Sequence, residues 1–467
     1  MTTKEQLESW FHSREASLTA AVSRLVRIES TLGEAAPGMP FGPAPAAALK
    51  EFLAVSGEWG LPGEDLEGYV GVVDLSDKPD ALHILGHLDV VPAGEGWTVT
   101  EPFEPKLIGG LLYGRGASDD KGPMVAALLA MRAVKELDVP LTKNVRLILG
   151  TDEETGMRDV AWYYGRHPHA PNTLSPDADF PIINIEKGHY QPVFGAKWQR
   201  EDALPRVTAF SGGPRVNMVP PKASATVLGL DPDAVRQAAE GLTLEEEIRF
   251  TVTPVSGGCE ILCAGQNAHG STPEEGHNAQ TALVALLAAL PLAELPSTAA
   301  LRSLGRLFPH GDHTGSALGI AQSDELSGAL SLAFTILHLD EDGFEARFDS
   351  RTPLCGTEET VNAVAEKALH EAGFTVDGKL DPPHHVPADS PFIRTLANAY
   401  ETWTGETAAC LAIGGGTYVH DIPGGVAFGA NMPGFACSLH GPDEKVSVED
   451  LMTTAKIYAQ VILELCT

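Results

Sequence analysis

Two apolar runs of this chain end abruptly at side chains that can bind a metal ion or move a proton. The first, at 84–86, leads into His87 and Asp89, and the second leads into the adjacent Glu153 and Glu154. Polar side chains at the carboxyl ends of strands mark the place where open α/β sheets bind ligands. Imidazole and carboxylate groups are also ligands that zinc accepts. The two runs therefore predict a metal site with a general base beside it.

A third run, Gly-Arg-Gly-Ala-Ser-Asp-Asp-Lys-Gly at 114–122, precedes a helical pattern and contains the adjacent Asp119 and Asp120. Two zinc ions roughly 3.5–4 Å apart need a carboxylate that bridges them. Asp119 is the candidate bridge, and His87 is the candidate ligand of one ion. Asp89, two residues further on, points to the same side and is expected to hold the ring N–H of that imidazole.

The neighbours Glu153 and Glu154 cannot face the same way in an extended chain. One of them can therefore bind a metal ion while the other reaches an activated water, which is the arrangement that a general base requires. Asp177, in a Ser-Pro-Asp-Ala-Asp segment, and His440, in Leu-His-Gly-Pro-Asp-Glu, are further candidate ligands.

Each of these features alone has a simpler explanation. A His-x-Asp triplet occurs by chance in many proteins, paired glutamates are usually solvated, and a Gly-Arg-Gly turn before two aspartates can simply cap a helix. Their combination favours a single site, because several independent apolar runs end in the residues that one site requires.

The elements that must position these side chains alternate between strand and helix in the first third of the chain. Strands are predicted at 70–75 and 81–86, which we expect to be neighbours, and at 144–150 and 181–186, with a helix at 123–137. This alternation is typical of a largely parallel sheet that is covered on both faces.

The character of the chain changes near residue 188 and changes back near residue 386. Between these points the strands alternate, and one pair, around an Asp-Gly turn at 342–343, predicts a hairpin. We predict an α/β fold in which a discontinuous, mainly parallel-sheet domain, 1–187 and 386–467, is interrupted by an inserted α+β domain at 188–385.

Composition limits the classes of partner. The chain of 467 residues is too long for one ordinary core, and 63 acidic against 32 basic residues give a net charge of −31. Nucleic acid and anionic membranes are therefore excluded as partners. The six cysteines form no Cys-x-x-Cys motif, and no apolar run is long enough to span a bilayer. We expect a soluble cytoplasmic protein with reduced thiols and no signal peptide.

Five runs in the same order resemble the co-catalytic zinc peptidases and amidohydrolases. That superfamily includes carnosinases, acetylornithine deacetylases and succinyl-diaminopimelate desuccinylases, and the chain looks closest to the bacterial dipeptidase V type. The resemblance covers nearly the whole length and rests on these segments: 86–92 (Gly-His-Leu-Asp-Val-Val-Pro), 114–123, 151–156 (Thr-Asp-Glu-Glu-Thr-Gly), 176–181 and the late His440.

The resemblance implies two Zn²⁺ ions per chain, with Co²⁺ or Mn²⁺ also suited to the ligands. Its implied ligands are His87 and Asp177 on one ion, Glu154 and His440 on the other, and Asp119 between them. Asp119 is chosen over Asp120 because the family's fixed aspartate stands two residues before the Lys-Gly. Glu153 is implied to be the general base and acid, and Asp89 an accessory catalytic residue.

In similar enzymes the inserted domain is a lid that closes over the substrate. His269, in Ala-His-Gly-Ser-Thr-Pro, is implied to stabilise the oxyanion. Asn217 and Arg351 are implied to hold the C-terminal carboxylate of the substrate, which an arginine fork fits bidentately.

A glycine-rich loop, Gly-Gly-Gly-Thr-Tyr at 414–418, resembles a family loop whose backbone N–H groups, here of Gly415 and Gly416, approach a carboxylate. A phosphate cradle is the rival interpretation, but no Lys-Ser/Thr pair follows it. Similar dipeptidases commonly carry an arginine two residues after the tyrosine, whereas this chain has His420, so substrate preference at this loop is open.

These residues predict hydrolysis of the amide bond of a dipeptide, either broadly Xaa-Xaa or β-alanyl, by a metal-bridging water that Glu153 activates. One alternative is deacylation of N-acyl amino acids, which uses the same metal chemistry. The other is an inactive metal-binding homologue, against which the retention of Glu153 counts. We expect a monomer, because a large insertion can complete the site within one chain, and a small peptide as the only partner.

Overall fold

The computed structural model describes residues 3–467, which divide into two compact units. The first unit takes the chain up to Ile185 together with 385–411 and 416–467, and the second takes 186–384 and 412–415. Residues 412–415, which the sequence analysis assigns to the discontinuous domain, thus group with the second unit. The reason is local pairing, since Ile413 and Gly414 offer their carbonyls to Lys187 N at 2.9 Å and Arg351 Nη1 at 2.6 Å.

The described chain contains eleven α-helices. In chain order they are α1 (Thr3–Phe11), α2 (Glu15–Val26), α3 (Pro43–Glu58), α4 (Lys121–Glu136), α5 (Arg158–Tyr164), α6 (Pro232–Glu240), α7 (Ala279–Ala289), α8 (Pro296–Leu307), α9 (Ala363–Glu371), α10 (Pro391–Thr404) and α11 (Val448–Cys466). Shorter helical turns of 3-10 or π type are at Glu153–Thr155, Pro273–Glu275, Glu358–Asn362 and Tyr418–Asp421.

The strands of the described chain are short, and most belong to one of two large sheets. They are β1 (Gly63–Leu66), β2 (Val70–Asp74), β3 (Asp80–His87), β4 (Lys106–Ile108), β5 (Leu111–Tyr113), β6 (Asn144–Gly150), β7 (Asn172–Ser175), β8 (Ala178–Asp179), β9 (Ile182–Glu186), β10 (Gly188–Tyr190), β11 (Val193–Lys197), β12 (Arg206–Gly212), β13 (Lys222–Leu228), β14 (Arg249–Val255), β15 (Gly258–Ala264), β16 (Ser323–Asp324), β17 (Gly328–Ala329), β18 (Ser331–Leu339), β19 (Gly343–Thr352), β20 (Thr375–Asp377), β21 (His384–His385), β22 (Cys410–Ile413), β23 (Gly425–Ala427), β24 (Ala430–Asn431) and β25 (Lys445–Ser447).

The principal sheet of the first unit is mixed. Its strands follow the order β1-β2-β6-β3-β7-β23-β9. The central pairs β6–β3, β3–β7 and β7–β23 are parallel, whereas β1–β2, β2–β6 and β23–β9 are antiparallel. The α/β class is confirmed, but a mainly parallel sheet is only a fair description of its centre.

The strand order also corrects one predicted neighbour. Strands β2 and β3 are consecutive in the chain, but β6 lies between them and pairs with both. Strand β6 is buried along almost its whole length, as expected of a central strand covered on both faces. The crossover from β3 to β6 passes through α4, which brings the ends of both strands to the same edge of the sheet.

Helix α4 is the core helix of the first unit. The residues from Lys121 to Met131 are all buried, rather than the single apolar stripe of a surface helix, because the helix packs against both α11 and the sheet. Its first residue follows directly on Asp120, so packing of this helix fixes the aspartate pair.

The second unit is built on an antiparallel sheet with the order β14-β15-β13-β12-β18-β19-β11-β20. The predicted hairpin is confirmed as β18–β19, closed by a turn in which Asp340 N–H donates to the Gly343 carbonyl at 3.0 Å. Cys259 and Cys263 lie in β15 with buried, free thiols, in agreement with the expectation of reduced cysteines.

No helix among residues 3–467 combines the length and the apolar character needed to cross a membrane.

A buried polar network surrounds the side chain of His83 in β3. Its Nδ1 lies 3.0 Å from the Tyr164 hydroxyl and its Nε2 lies 3.3 Å from Asp80 Oδ2, while only 1% of the residue is exposed. Burial lowers the pKa of His83 below its ordinary value of 6.5, although the hydrogen bond with Asp80 acts in the opposite direction.

This pKa shift predicts a loss of stability in acid. Below about pH 6.5 the unfolded chain binds a proton at His83 that the folded chain takes up only at lower pH, so the free energy of unfolding falls as the pH falls. In His83→Gln, urea unfolding should show a smaller fall between about pH 7 and about pH 5, by at most about 2 kcal/mol. His12→Gln, at an exposed histidine, is the control. Equal pH dependence in unaltered protein and His83→Gln would contradict the prediction.

Candidate metal centre

Three predicted ligands meet at the carboxyl end of β3 and form what we term the first ligand group: His87, Asp119 and Asp177. His87 ends the strand, and its Nε2 lies 2.9 Å from Asp119 Oδ1 and 3.6 Å from Asp177 Oδ2. Asp177 follows β7, which pairs in parallel with β3, so both strands deliver their ligands at one edge of the sheet.

A second ligand group comprises Asp119, Glu154 and His440. His440 Nε2 lies 2.9 Å from Asp119 Oδ2 and 3.4 Å from Glu154 Oε2. The two groups therefore share Asp119, which turns one carboxylate oxygen toward each imidazole. This is the arrangement that a bridging carboxylate needs between two closely spaced cations.

The donor set fits two divalent ions of the zinc type. Each group offers one imidazole nitrogen and carboxylate oxygens, which zinc, cobalt and manganese all accept. Within residues 3–467, the buried Nε2 of His87 has no partner in hydrogen-bond geometry, although carboxylate oxygens lie close to it. A buried nitrogen aimed at carboxylates in this way is suited to metal coordination.

Crowding of buried carboxylates dominates the electrostatics of the two groups. Burial, with the charge of Asp119 adding to it, raises the pKa of Glu154 to about 7 and raises that of Asp177. Burial followed by the charge of Asp177 raises the pKa of Glu153 well above 4.5. Burial lowers the pKa of His440, but hydrogen bonds with Asp119 and Glu154 outweigh it and raise it to about 11. Positive charge therefore stabilises the ionised carboxylates here, and either protonated imidazoles or bound divalent cations can provide it.

Asp89 contacts the ring of His87, as expected, but its carboxylate also has another task. The ring Nδ1 of His87 lies 3.0 Å from the backbone carbonyl of Asp89, whereas the nearest carboxylate oxygen is 3.5 Å away, which is long for a hydrogen bond. The carboxylate instead accepts the backbone N–H groups of Glu153 and Glu154 at 3.2 and 3.1 Å. Asp89 therefore fixes the turn that carries both glutamates.

Asp120 is buried behind the shared aspartate and has no place in either group. Its Oδ2 accepts the backbone N–H of His87 at 3.2 Å, and the peptide bond between Asp119 and Asp120 is cis. A Cβ on Gly86 would lie 2.0 Å from that oxygen, which accounts for the glycine before the metal-capable histidine.

Asp159 is a positioning residue that the sequence analysis missed. Its Oδ2 accepts the backbone N–H of Thr151 at 2.6 Å and of Asp152 at 2.9 Å, together with the hydroxyl of Tyr418 at 2.6 Å. The carboxylate thus holds the end of β6, just before Glu153, against the tyrosine that closes the glycine-rich loop. In the sequence, Asp159 is marked only by its place shortly after the acidic segment 152–154.

In the second unit, Asn217 and His269 lie on two segments that are joined by backbone hydrogen bonds. Gly270 N–H donates to the Asn217 carbonyl at 2.8 Å, and Val219 N–H donates to the carbonyl of residue 268 at 3.0 Å. Both side chains are exposed, and the Nδ1 of His269 lies 2.6 Å from the Ser271 hydroxyl. The unit therefore brings these two predicted residues together.

Arg351 is buried, and its fork is engaged within the second unit. Its Nε and Nη2 contact the two oxygens of Asp349 at 2.9 and 2.8 Å, and its Nη1 donates to the Gly414 carbonyl at 2.6 Å. The bidentate position that the sequence analysis reserved for a substrate carboxylate is thus taken by Asp349. The remaining nitrogen, Nη1, joins Arg351 to the glycine-rich loop at Gly414.

The sequence matches the model of a known protein family. A family model described as Peptidase family M20/M25/M40 matches residues 83–464. The chain belongs to the M20/M25/M40 peptidase family. The predicted resemblance to co-catalytic metallopeptidases is therefore confirmed, and the chain is a hydrolase of this class.

Relatives across the full length have consistent names. The chain is 34% identical over 466 residues to a Bacillus subtilis (strain 168) protein named "Putative dipeptidase YtjP", covering 97% of this chain and 98% of the relative. It is 32% identical to the Beta-Ala-Xaa dipeptidase of Lactobacillus delbrueckii subsp. lactis, covering 97% of each chain. The crystal structure of human carnosine dipeptidase 1 shares the fold, with a TM-score of 0.58 at 17% identity over 100% of this chain and 99% of that one.

The shared position of Asp119 predicts an unequal effect of ligand substitutions. Asp119→Ala should weaken the binding of both ions at least about tenfold, because the residue belongs to both groups, whereas His440→Ala should weaken the binding of one. Isothermal titration with Zn²⁺ after removal of bound metal measures both. Asp179→Ala, an exposed aspartate two residues after Asp177, is the matched control and should bind two ions normally. Two tightly bound ions in Asp119→Ala would refute the bridging role.

Proposed function

We propose that this protein is a dinuclear metallo-dipeptidase that hydrolyses the amide bond of dipeptides with two Zn²⁺ ions, or Co²⁺ or Mn²⁺ in their place. The observation that carries the proposal is the pair of ligand groups sharing Asp119 in a chain of a peptidase family. The names of its full-length relatives support dipeptides as the substrate class.

His87 and Asp177 would hold one ion, Glu154 and His440 the other, and Asp119 both. When bound, two such ions act as Lewis acids and lower the pKa of a water that they share. All other roles in the reaction are assigned to residues of this chain.

Glu153 is the proposed general base and acid. It adjoins the ligand Glu154 in a short helical turn but belongs to neither ligand group. Its backbone N–H is held by Asp89, so its carboxylate starts from a fixed point. We assign to it removal of a proton from the attacking water and delivery of that proton to the amine that leaves.

The second unit would supply the groups that recognise the substrate. His269 is assigned to the oxyanion, and its ring is oriented by the Ser271 hydroxyl. Asn217 and the backbone N–H groups of Gly415 and Gly416 are assigned to the C-terminal carboxylate of the dipeptide. Arg351 supports that loop through the Gly414 carbonyl instead of forming a fork around the substrate.

Two further expectations from the sequence stay predictions: a monomeric state and a cytoplasmic location. The preferred amino-terminal residue is equally open, although the relative named Beta-Ala-Xaa dipeptidase supports testing β-alanyl peptides beside α-dipeptides.

Replacing the proposed base separates chemistry from metal binding. Glu153→Gln removes the proton acceptor but leaves all five proposed ligands, so we expect kcat for an alanyl dipeptide to fall roughly 10²- to 10⁴-fold with metal content unchanged. Glu154→Gln is the matched neighbour, and it should lose metal as well as activity. If Glu153→Gln turned over substrate at the unaltered rate, another residue would have to be the base.

A substrate panel separates the proposed dipeptidase from the deacylase alternative. We expect kcat/KM for alanyl and β-alanyl dipeptides to exceed that for N-acetyl and N-succinyl amino acids by at least roughly tenfold, because only the dipeptides carry a free amine. Faster hydrolysis of the N-acyl compounds would identify a deacylase. Failure to cleave any of these compounds with two ions bound would identify an inactive homologue.

A further inference from the structure

Glu444 is another buried carboxylate beside the metal centre that takes no part in either ligand group. Glu444 is 0% exposed, and both of its oxygens are saturated by the loop that leads to Asp119. Its Oε1 accepts the backbone N–H of Ser118 at 2.9 Å and of Asp119 at 3.3 Å. Its Oε2 accepts the backbone N–H of Gly116 at 3.1 Å.

Arg115 completes this contact from the other side. Its Nη1 donates to Glu444 Oε2 at 2.6 Å, so the buried carboxylate has a buried counter-charge, and 1% of the arginine is exposed. Its Nη2 donates to the carbonyls of His440 and Gly441, both at 3.1 Å. The guanidinium of Arg115 therefore hydrogen-bonds to the backbone of the histidine ligand, while its partner Glu444 hydrogen-bonds to the backbone of the shared aspartate.

The segment that carries His440 needs such a restraint. Ser438, His440 and Asp443 all have positive φ, at 61°, 55° and 55°, a region that residues other than glycine rarely adopt. A backbone of this kind persists only where its surroundings hold it. Asp443 adds a second hold, because its Oδ1 accepts the backbone N–H groups of Thr98 and Val99, both at 2.9 Å.

We propose that the buried Arg115–Glu444 pair is the positioning device of the second ligand group, setting the separation between His440 and Asp119 so that both can hold one ion. The inference rests on the proposed function. Neither residue touches an ion or substrate. They act through backbone groups of two segments that lie more than 300 residues apart in the chain. A metal site tolerates displacements of only about 0.5 Å, so the loss of this pair should be felt selectively at the ligands it spans.

The test compares metal binding in Glu444→Gln and Arg115→Lys with that in unaltered protein. Glu444→Gln keeps the shape but loses the charge, and Arg115→Lys keeps the charge but loses the planar fork that reaches both partners. We expect one Co²⁺ to bind as in unaltered protein and the other to bind about 10- to 100-fold more weakly, the usual effect of removing a partner of a metal ligand. Isothermal titration, together with the visible absorption of bound Co²⁺, measures both ions without relying on turnover.

His440→Ala identifies which ion is affected. If the pair acts through His440, the double variant Glu444→Gln/His440→Ala should bind the weakened ion no more weakly than His440→Ala alone. Arg146→Lys and Asp74→Asn are the controls, because that Arg–Asp ion pair belongs to the same unit but lies at the start of β6. It is bidentate and partly exposed, whereas Arg115 and Glu444 share one buried contact. Both controls should bind two ions normally.

Unchanged binding of both ions in folded Glu444→Gln and Arg115→Lys would overturn the inference, as would equal weakening of both ions or equal losses in the controls. If Glu444→Gln does not fold, Arg115→Lys decides alone. Hydrolysis is scored separately. Selective weakening in a protein that cleaves no dipeptide would sustain the positioning role and reject the proposed function, whereas normal hydrolysis and two tight ions in both variants would do the reverse.

Discussion

The carboxylate of Asp119 is shared by both ligand groups, so the other ligands must lie around its two oxygens. Each oxygen of Asp119 lies 2.9 Å from a different imidazole, those of His87 and His440, and each imidazole has another carboxylate close by. So much negative charge in a buried place is tolerable only beside positive charge. The strand ends and the start of α4 bring these side chains to one point, where protonated imidazoles, or bound cations in their place, would balance the carboxylates.

A second set of carboxylates fixes the loops that carry these side chains. Asp89, Asp159 and Glu444 each accept backbone N–H groups of a loop that carries a candidate ligand or base. Hydrogen bonds that backbone N–H groups donate to ionised carboxylates are about twice as strong as neutral ones, and they fix the backbone while leaving the ligand side chain free. Acidic residues thus have two tasks here, and sequence position alone does not separate them.

This division explains what could be predicted. The five candidate ligands stand at the ends of apolar runs or in motifs, and the structure brings all five together. The anchoring carboxylates bind backbone, which leaves no periodic trace in a sequence, so Asp159 and Glu444 went unnoticed. Asp89 contacts the ring of His87 as expected, but mainly through its backbone carbonyl, while its carboxylate accepts the N–H groups of the two glutamates. The position of β6 between β2 and β3 depends on pairing between strands that are distant in the chain, which the pattern of a single strand does not reveal. One contact could have been predicted from spacing alone. Asp349 and Arg351 are two residues apart in a strand and therefore share a face, which places the carboxylate beside the guanidinium.

The linear order of the ligands has a consequence for biosynthesis. His87, Asp119, Glu154 and Asp177 lie within about 90 residues of one another, but His440 and its support Glu444 are made more than 260 residues after Asp177. A growing chain on the ribosome can therefore assemble the first ligand group long before the second, which stays incomplete until His440 has been released. Helix α11, which packs on α4 behind Asp119, follows His440 in the chain, so the packing that supports the shared aspartate is also completed after its partner ligands are made.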